Sequence, residues 1–395
     1  MKETTRCNEK LRDPEGGDGM TGDLVIRGGR VIDPANGIDR EATLVVRDGK
    51  VAGLDVEAPE GAETIDATGA IVTPGLIDLH THVYWGGTSL GVDPDAYALK
   101  SASTTLVDAG SAGPGNYAGF ARHVIDGAFP RVLAYIHVSF AGIYAFADRI
   151  SVGESQDMRL MAAREAVEVA RANPETVIGV KVRLGAHASG PSGIAPLDVA
   201  QIVAEELGLP LMVHIDEPPP TYAAVVSRLR EGDILTHCFR PFPNAPMDGN
   251  GKVRPEIRAA RERGVIFDIA HGRGSFSWKS ARAMLAEGFR PDVLSSDVHE
   301  FCIRGPAHDN LRVMTKFLAL DWSLPEVIEA ATVAPARALG RPDLGHLSEG
   351  APGDVSVIRL TEGPIDLEDV RGEIVPFDRL LDPVGIARNG VWKAA

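Results

Sequence analysis

Four histidines, one lysine and one aspartate stand near the C-terminal ends of short apolar runs. They are His80 and His82 in "LIDLHTH", Lys181 in "TVIGVKVRL", His214 in "PLMVHID", His237 in "DILTHC" and Asp297 in "DVLSSDVH". Imidazole nitrogens and a carboxylate suit Zn²⁺ and tolerate other divalent ions. Side chains alternate between faces along a strand, so His80 and His82 share a face and reach one ion, with Asp78 expected deeper on that face. The His-x-His pair alone also fits a strand end that is merely polar. Lys181 and Asp297 argue for chemistry, because a charge inside an apolar strand is costly unless paired or bound to metal. An ammonium cannot ligate a cation. A desolvated lysine loses its proton more readily, however, and the free amine can add CO2 to give a carbamate with oxygens enough to bridge two metals.

Something must bring these residues to one place. The six lie in runs that alternate, with "TTLVDAG", "RVLAYIHV" and "VIFDIAH" among them, with helical patterns such as "SQDMRLMAAREAVEVARAN" and "PEIRAARERG". Eight such units over roughly 250 residues is the size of a (β/α)8 TIM barrel, whose catalytic residues sit at the C-terminal ends of its strands. Residues 73–344 are expected to form that barrel. Alternating segments broken by Gly and Asp-Gly turns occupy 23–72, and similar ones occupy 345–395. These two stretches are expected to fold together as one small antiparallel, β-sandwich-like domain. Residues 1–22 read as a polar, disordered leader.

The net charge of −15 and the lack of a basic stripe exclude nucleic acid as a natural partner. No run reaches the ~18 consecutive apolar residues of a membrane span. Cys7, Cys238 and Cys302 are widely spaced and form no CxxC, which fits a reducing cytoplasm and a thiolate-free metal site. Such a chain suits a small-molecule substrate, and a homo-oligomer is compatible with it.

The segments "GLIDLHTH", "VKV", "MVHI", "LTHC" and "SSDVH", with "APARALG...GHLSEGAPGDVSVI" nearer the end, resemble the amidohydrolase superfamily across most of the chain. The resemblance implies a binuclear metal-dependent hydrolase of an amide or ester. It implies that His80, His82 and Asp297 hold one ion and His214 and His237 the other, both expected to be zinc, with N6-carboxylated Lys181 between them. Two cations bridging one water lower its pKa towards neutrality, giving a hydroxide, and one of them polarises the carbonyl. Asp297 and Lys181 are then the catalytic residues, Asp297 passing a proton to the leaving group.

The stretch "HTHVYWGGTSLGVDPD", with "KVRLG" and "DIAHGRGSFSW", is similar to a branch described as deacetylases of small acyl compounds. That implies an N-acyl amino acid or an O-acyl 2-hydroxy acid as substrate, whose carboxylate needs a cation. Arg183 shares the face of Lys181; Arg273 and Arg304 are its rivals, and Arg304 reads more readily as a solvated loop residue. His271 is expected to touch substrate, and Tyr84 to wall the pocket with Trp85. The segment "CFRPFPNAPMDGNGKV" reads as a loop bordering the pocket. Cys238 should be a buried core residue, and His299, His308 and Cys302 solvated loop residues. A cyclic amide hydrolase of the dihydropyrimidinase or allantoinase kind is the alternative. A dihydroorotase-like arginine two residues after the second histidine is missing, its place being taken by Tyr84. A metal-assisted isomerase or lyase on the same barrel is a further reading, since fold does not fix reaction.

Overall fold

Five of the short alternating segments at the start of the chain are strands: β1 (Leu24–Asp33), β2 (Ile38–Arg47), β3 (Lys50–Leu54), β4 (Glu63–Asp66) and β5 (Ile71–Pro74). Seven of the apolar runs follow as β6 (Leu76–Thr81), β7 (Ser103–Ala109), β8 (Arg131–His137), β9 (Val177–Leu184), β10 (Leu211–Ile215), β11 (Ile234–Leu235) and β12 (Ile266–Phe267). The chain closes with β13 (Val355–Glu368), β14 (Ile374–Arg388) and β15 (Val391–Ala394). This computed structural model describes residues 21–395, so the expected leader lies, but for its last two residues, outside the described residues.

Among the described residues, β1–β5 and β13–β15 make one eight-stranded sheet, ordered β15-β14-β13-β5-β1-β2-β3 with β4 beside β1. β1 shifts register between Ile26 and Gly29, and its two halves pair in parallel with β4 and with β5. The sheet is therefore mixed, which corrects the purely antiparallel expectation. One bent strand with two partners lets a single sheet enclose its own core of Leu24, Val31, Leu44, Val46, Val355 and Val357. Each such buried aliphatic contributes about 1.5–3 kcal/mol relative to exposure.

Strands β6–β12 form a parallel sheet in sequential order. Ile77, Leu79, Val107, Leu133, Tyr135 and Met212 share one apolar cluster, while the alternate residues Leu106, Val132, Val180, Val182 and Val213 belong to the cluster that includes the helices. The eighth apolar run is not a regular strand, yet it touches both edges of this sheet. Val293 bridges Asp268 beyond β12, and Val298 bridges Thr81 of β6, both in parallel. His271 N donates to Ser295 O on one side, and His82 N to Val298 O on the other. The interruption has a local cause: Asp297 adopts the left-handed region, at φ 49°.

The tip of the long β13–β14 hairpin meets the segments that follow β11 and β12. Asp369 Oδ2 accepts from Trp278 N at 2.9 Å, Val370 N donates to Phe276 O, and Arg371 Nη2 donates to Phe242 O. Lys316, on the helix Asn310–Leu318, is buried beneath this contact. Its ammonium donates to Glu368 O at 2.6 Å and to Pro306 O at 3.0 Å, and lies 2.6 Å from His271 Nε2. No helix of the described residues is long and apolar enough to cross a membrane.

Candidate metal centre

β6, β9, β10 and β11 and the eighth run deliver all six expected ligands as buried or nearly buried side chains at one end of the parallel sheet. Asp297 Oδ1 lies 3.1 Å from His82 Nε2 and 3.3 Å from His80 Nε2. These three residues offer ligand atoms within 4.8 Å of one another, the only such group of three or more His, Cys, Asp or Glu among the described residues. Lys181 Nζ is 3.3 Å from His80 Nε2, and the lysine is wholly buried. A second pair stands beside them: His214 Nδ1 is 2.6 Å from His237 Nε2, and the His237 ring centroid is 5.3 Å from that of His80.

The Nδ1 atoms reveal how three of the imidazoles are held. His237 Nδ1 faces the Ala270 carbonyl at 2.8 Å; a carbonyl only accepts, so Nδ1 carries the proton and Nε2 is left as a bare lone pair. His82 Nδ1 meets Ser111 Oγ at 2.9 Å, and His80 Nδ1 meets Asp268 Oδ2 at 3.3 Å. Asp268 is itself held by Ser295 Oγ at 2.5 Å. Partners of this kind fix the tautomer and orientation of metal-binding histidines. The donor set, convergent nitrogens with their outer faces occupied plus a carboxylate, fits divalent ions. Asp268 and Ser111 were missed by the sequence reading. The aspartate in "VIFDIAH" stands level with the other strand ends, and that position was the available signal.

Burial sets the charges. It holds His80, His214 and His237 well below the usual imidazole range and His82 at about 3, all neutral and able to ligate. It lowers Lys181 to about 7 and raises Asp297 to about 6 and Asp268 to about 8. Two glycines make the space. A Cβ at Gly110 would meet the Lys181 side chain, and one at Gly272 would collide with Asp297 Oδ2. His237 and Asp297 both lie in the left-handed region, at φ 64° and 49°, a conformation that costs of order 1–3 kcal/mol and concentrates at functional sites.

Other expectations need correction. Asp78 is not below the histidines. It accepts from Tyr97 Oη and Ser296 Oγ at 2.7 and 2.6 Å, while Leu79 joins the cluster of Ile77; a register shift between Asp78 and Thr81 separates it from the histidine face. Tyr84 packs on Phe120, with ring centroids 4.7 Å apart, and its hydroxyl donates to Asn116 O. His271 is wholly buried, stacks on Phe276 and has both ring nitrogens occupied, by Gly272 O and by Lys316. A substrate contact is thus replaced by a structural one. His299 and Cys302 are buried, not solvated: the His299 ring lies 6.2 Å from that of His82, and Cys302 Sγ donates to Asp297 O. Cys238 is buried in the core as expected. Trp85 is exposed.

Among the arginines, Arg183 reaches the rim but is met by Glu154 Oε2 at 3.2 Å and rests over Phe146. Glu154 in turn lies 3.3 Å from His137 at the end of β8. Arg273 stands over the Phe301 ring, which contacts His299. Arg304 pairs with Glu300 at the surface.

The sequence profile of the amidohydrolase family matches residues 71–393. The chain belongs to that family. It is a metal-dependent hydrolase. It is similar to a deacetylase of Agrobacterium fabrum, 34% identical over 343 residues that cover 86% of this chain and 83% of the relative. Among solved structures it resembles an adenine deaminase, with a TM-score of 0.86 at 28% identity, over 95% of this chain and all of that one. It resembles a dihydroorotase equally, with a TM-score of 0.86 at 29% identity, over 95% of this chain and 98% of the other.

Proposed function

We propose that the protein removes an acyl group from a small carboxylate-bearing compound, an N-acyl amino acid or an O-acyl 2-hydroxy acid, by attack of water on the acyl carbonyl. The observation that carries this reading is the approach of Asp297 Oδ1 to both His80 and His82 with Lys181 against His80, all withdrawn from solvent. The similarity to a deacetylase over most of the chain supports the acyl substrate. His80, His82 and Asp297 would hold one divalent ion and His214 and His237 a second, with Lys181 as a carbamate between them. Bound ions of this kind supply Lewis acidity to the carbonyl and make water acidic enough to attack near neutral pH.

The chain's own groups do the rest. Lys181, buried and poised near 7, exposes a free amine that adds CO2 with loss of a proton. Asp297 presents Oδ1 to the histidines, leaving Oδ2 over Gly272 to take the proton of the attacking water. It gives that proton up again to the departing amine or alcoholate as the C–N or C–O bond breaks. His80 and His237 keep their outer contacts to Asp268 and Ala270 throughout. In the same reading, the eighth run closes the parallel sheet as a complete (β/α)8 barrel spanning 73–344. Its bridges to both sheet edges support this, and residues 23–72 and 345–395 make the companion β domain.

The test is to load the protein with zinc, measure metal per chain, and screen N-acetyl amino acids, O-acetyl 2-hydroxy acids and cyclic amides. Close to two ions and hydrolysis of the acyl carboxylates are expected. A metal-loaded protein that opens only cyclic amides would replace this reading with the alternative that the dihydroorotase likeness favours.

A further inference from the structure

Arg240, in the loop after β11, is a buried guanidinium that makes no ion pair within hydrogen-bond distance among the described residues. It follows the expected ligand His237 by three residues, and its backbone N–H donates to His237 O at 3.1 Å. Ser280 Oγ donates to its carbonyl at 2.9 Å, so the backbone is pinned at both faces. The side chain is carried inward and the residue is only 8% exposed, yet Nε and Nη1 have no hydrogen-bond partner among the described residues. Leaving a buried charge unpaired costs several kcal/mol. Tyr222, the first residue of the short helix Tyr222–Val226 after β10, is 3% exposed, and its hydroxyl also has no partner among the described residues. Asn244 stitches the two loops together, accepting from Tyr222 N and donating to Asp216 O and Pro220 O. These connections follow the strands that bring His214 and His237 to the site.

A guanidinium has only donors to offer, and a phenol usually donates when buried. Two orphaned donors on connections tied together by Asn244 call for a ligand rich in acceptors. Asp216 and Glu217 act on Arg240 through their charge without hydrogen-bonding it, and Asp216 spends its oxygens on Ala188 N at 2.9 Å and His187 N at 3.3 Å. Arg183 is answered by Glu154, and Arg304 by Glu300. We infer that Arg240, with the Tyr222 hydroxyl, seats the carboxylate of the substrate, placing the acyl carbonyl on the side of His214 and His237. This rests on the proposed deacylation and names the residues that select its substrates.

The test compares racemic N-acetylalanine with its methyl ester, which keeps the scissile amide and lacks the charge, using the zinc-loaded full chain. Arg240→Met is expected to lower kcat/KM for the acid about 10- to 100-fold, the worth of a charge-assisted hydrogen bond, and to leave the ester within about 3-fold. Arg240→Lys should recover part of that loss, and Tyr222→Phe should lower the acid-to-ester preference by a smaller factor; both also serve if the methionine variant does not fold. Arg183→Met should affect acid and ester alike. Equal losses on both substrates in the Arg240 variants, or a fall in Tm with the acid-to-ester ratio unchanged, overturn the inference. If wild type hydrolyses neither compound, calorimetry with lactate separates the two readings. Lactate binding that is lost in Arg240→Met and partly kept in Arg240→Lys upholds the anion seat while the deacylase reading fails, and no binding to wild type overturns the seat as well.

Discussion

Replacing Asp268 with alanine should weaken metal binding without touching a ligand. The carboxylate meets His80 Nδ1 at 3.3 Å, and both groups are shut away from solvent, so the contact is not screened. Loss of such an outer partner typically costs 10- to 100-fold in metal affinity, about 1.4–2.8 kcal/mol. The distance of 3.3 Å is long for a strong hydrogen bond, and burial raises the Asp268 carboxyl to about 8, which together place the expectation in the lower half of that range, about 10- to 30-fold. Ser295 Oγ also loses its 2.5 Å acceptor, so a further loss of about 1–3 kcal/mol in stability is expected from stranded buried groups. Zinc affinity would be measured by competition with a chromophoric chelator, with turnover measured separately at saturating zinc. Restored turnover at high zinc would locate the defect in binding. A variant that holds zinc as tightly as wild type would refute the role assigned to Asp268 in fixing the His80 tautomer.

Lys181→Ala is expected to lower metal occupancy and abolish hydrolysis, and a fully active, metal-loaded variant would remove the carbamate. Gly272→Ala puts a methyl group against Asp297 Oδ2 and should cut kcat at least ~100-fold with the circular dichroism spectrum preserved; near-normal kcat would show that the carboxylate does not work from that position. Lys316→Met strands His271 Nε2 and the carbonyls of Pro306 and Glu368, so a loss of about 2–4 kcal/mol by denaturant titration is expected with zinc content unchanged. Tyr84→Phe removes one bond to Asn116 O and should cost under ~1.5 kcal/mol with KM unaltered; a raised KM would return Tyr84 to the pocket.

The convergence of the six expected ligands was legible because each stands near the C-terminal end of a run of the parallel sheet, a level that period-two alternation and sequential strand order both enforce. His80, His82, Lys181, His214, His237 and Asp297 converge for that reason. Alternation fails where the backbone departs from it. The shift between Asp78 and Thr81 turned Asp78 away, and the left-handed conformation at Asp297 broke the eighth strand. His271 misled because a histidine at a strand end looks the same in sequence whether it faces substrate or, as here, a buried lysine more than forty residues onward. Arg240 and Asp268 escaped notice for the opposite reason: their significance lies in what surrounds them, an unmatched charge in one case and a ring nitrogen in the other.

The contact beneath the β13–β14 hairpin gives the last part of the chain a voice in catalysis. Glu368 holds Lys316, Lys316 holds His271, and the next residue, Gly272, lies against the oxygen of Asp297 that would handle the proton. A disturbance at the hairpin tip, far in sequence from every ligand, would travel along this short file of touching groups. Slow variants with full metal occupancy are thus to be sought among residues 369–373 as well as around the ions.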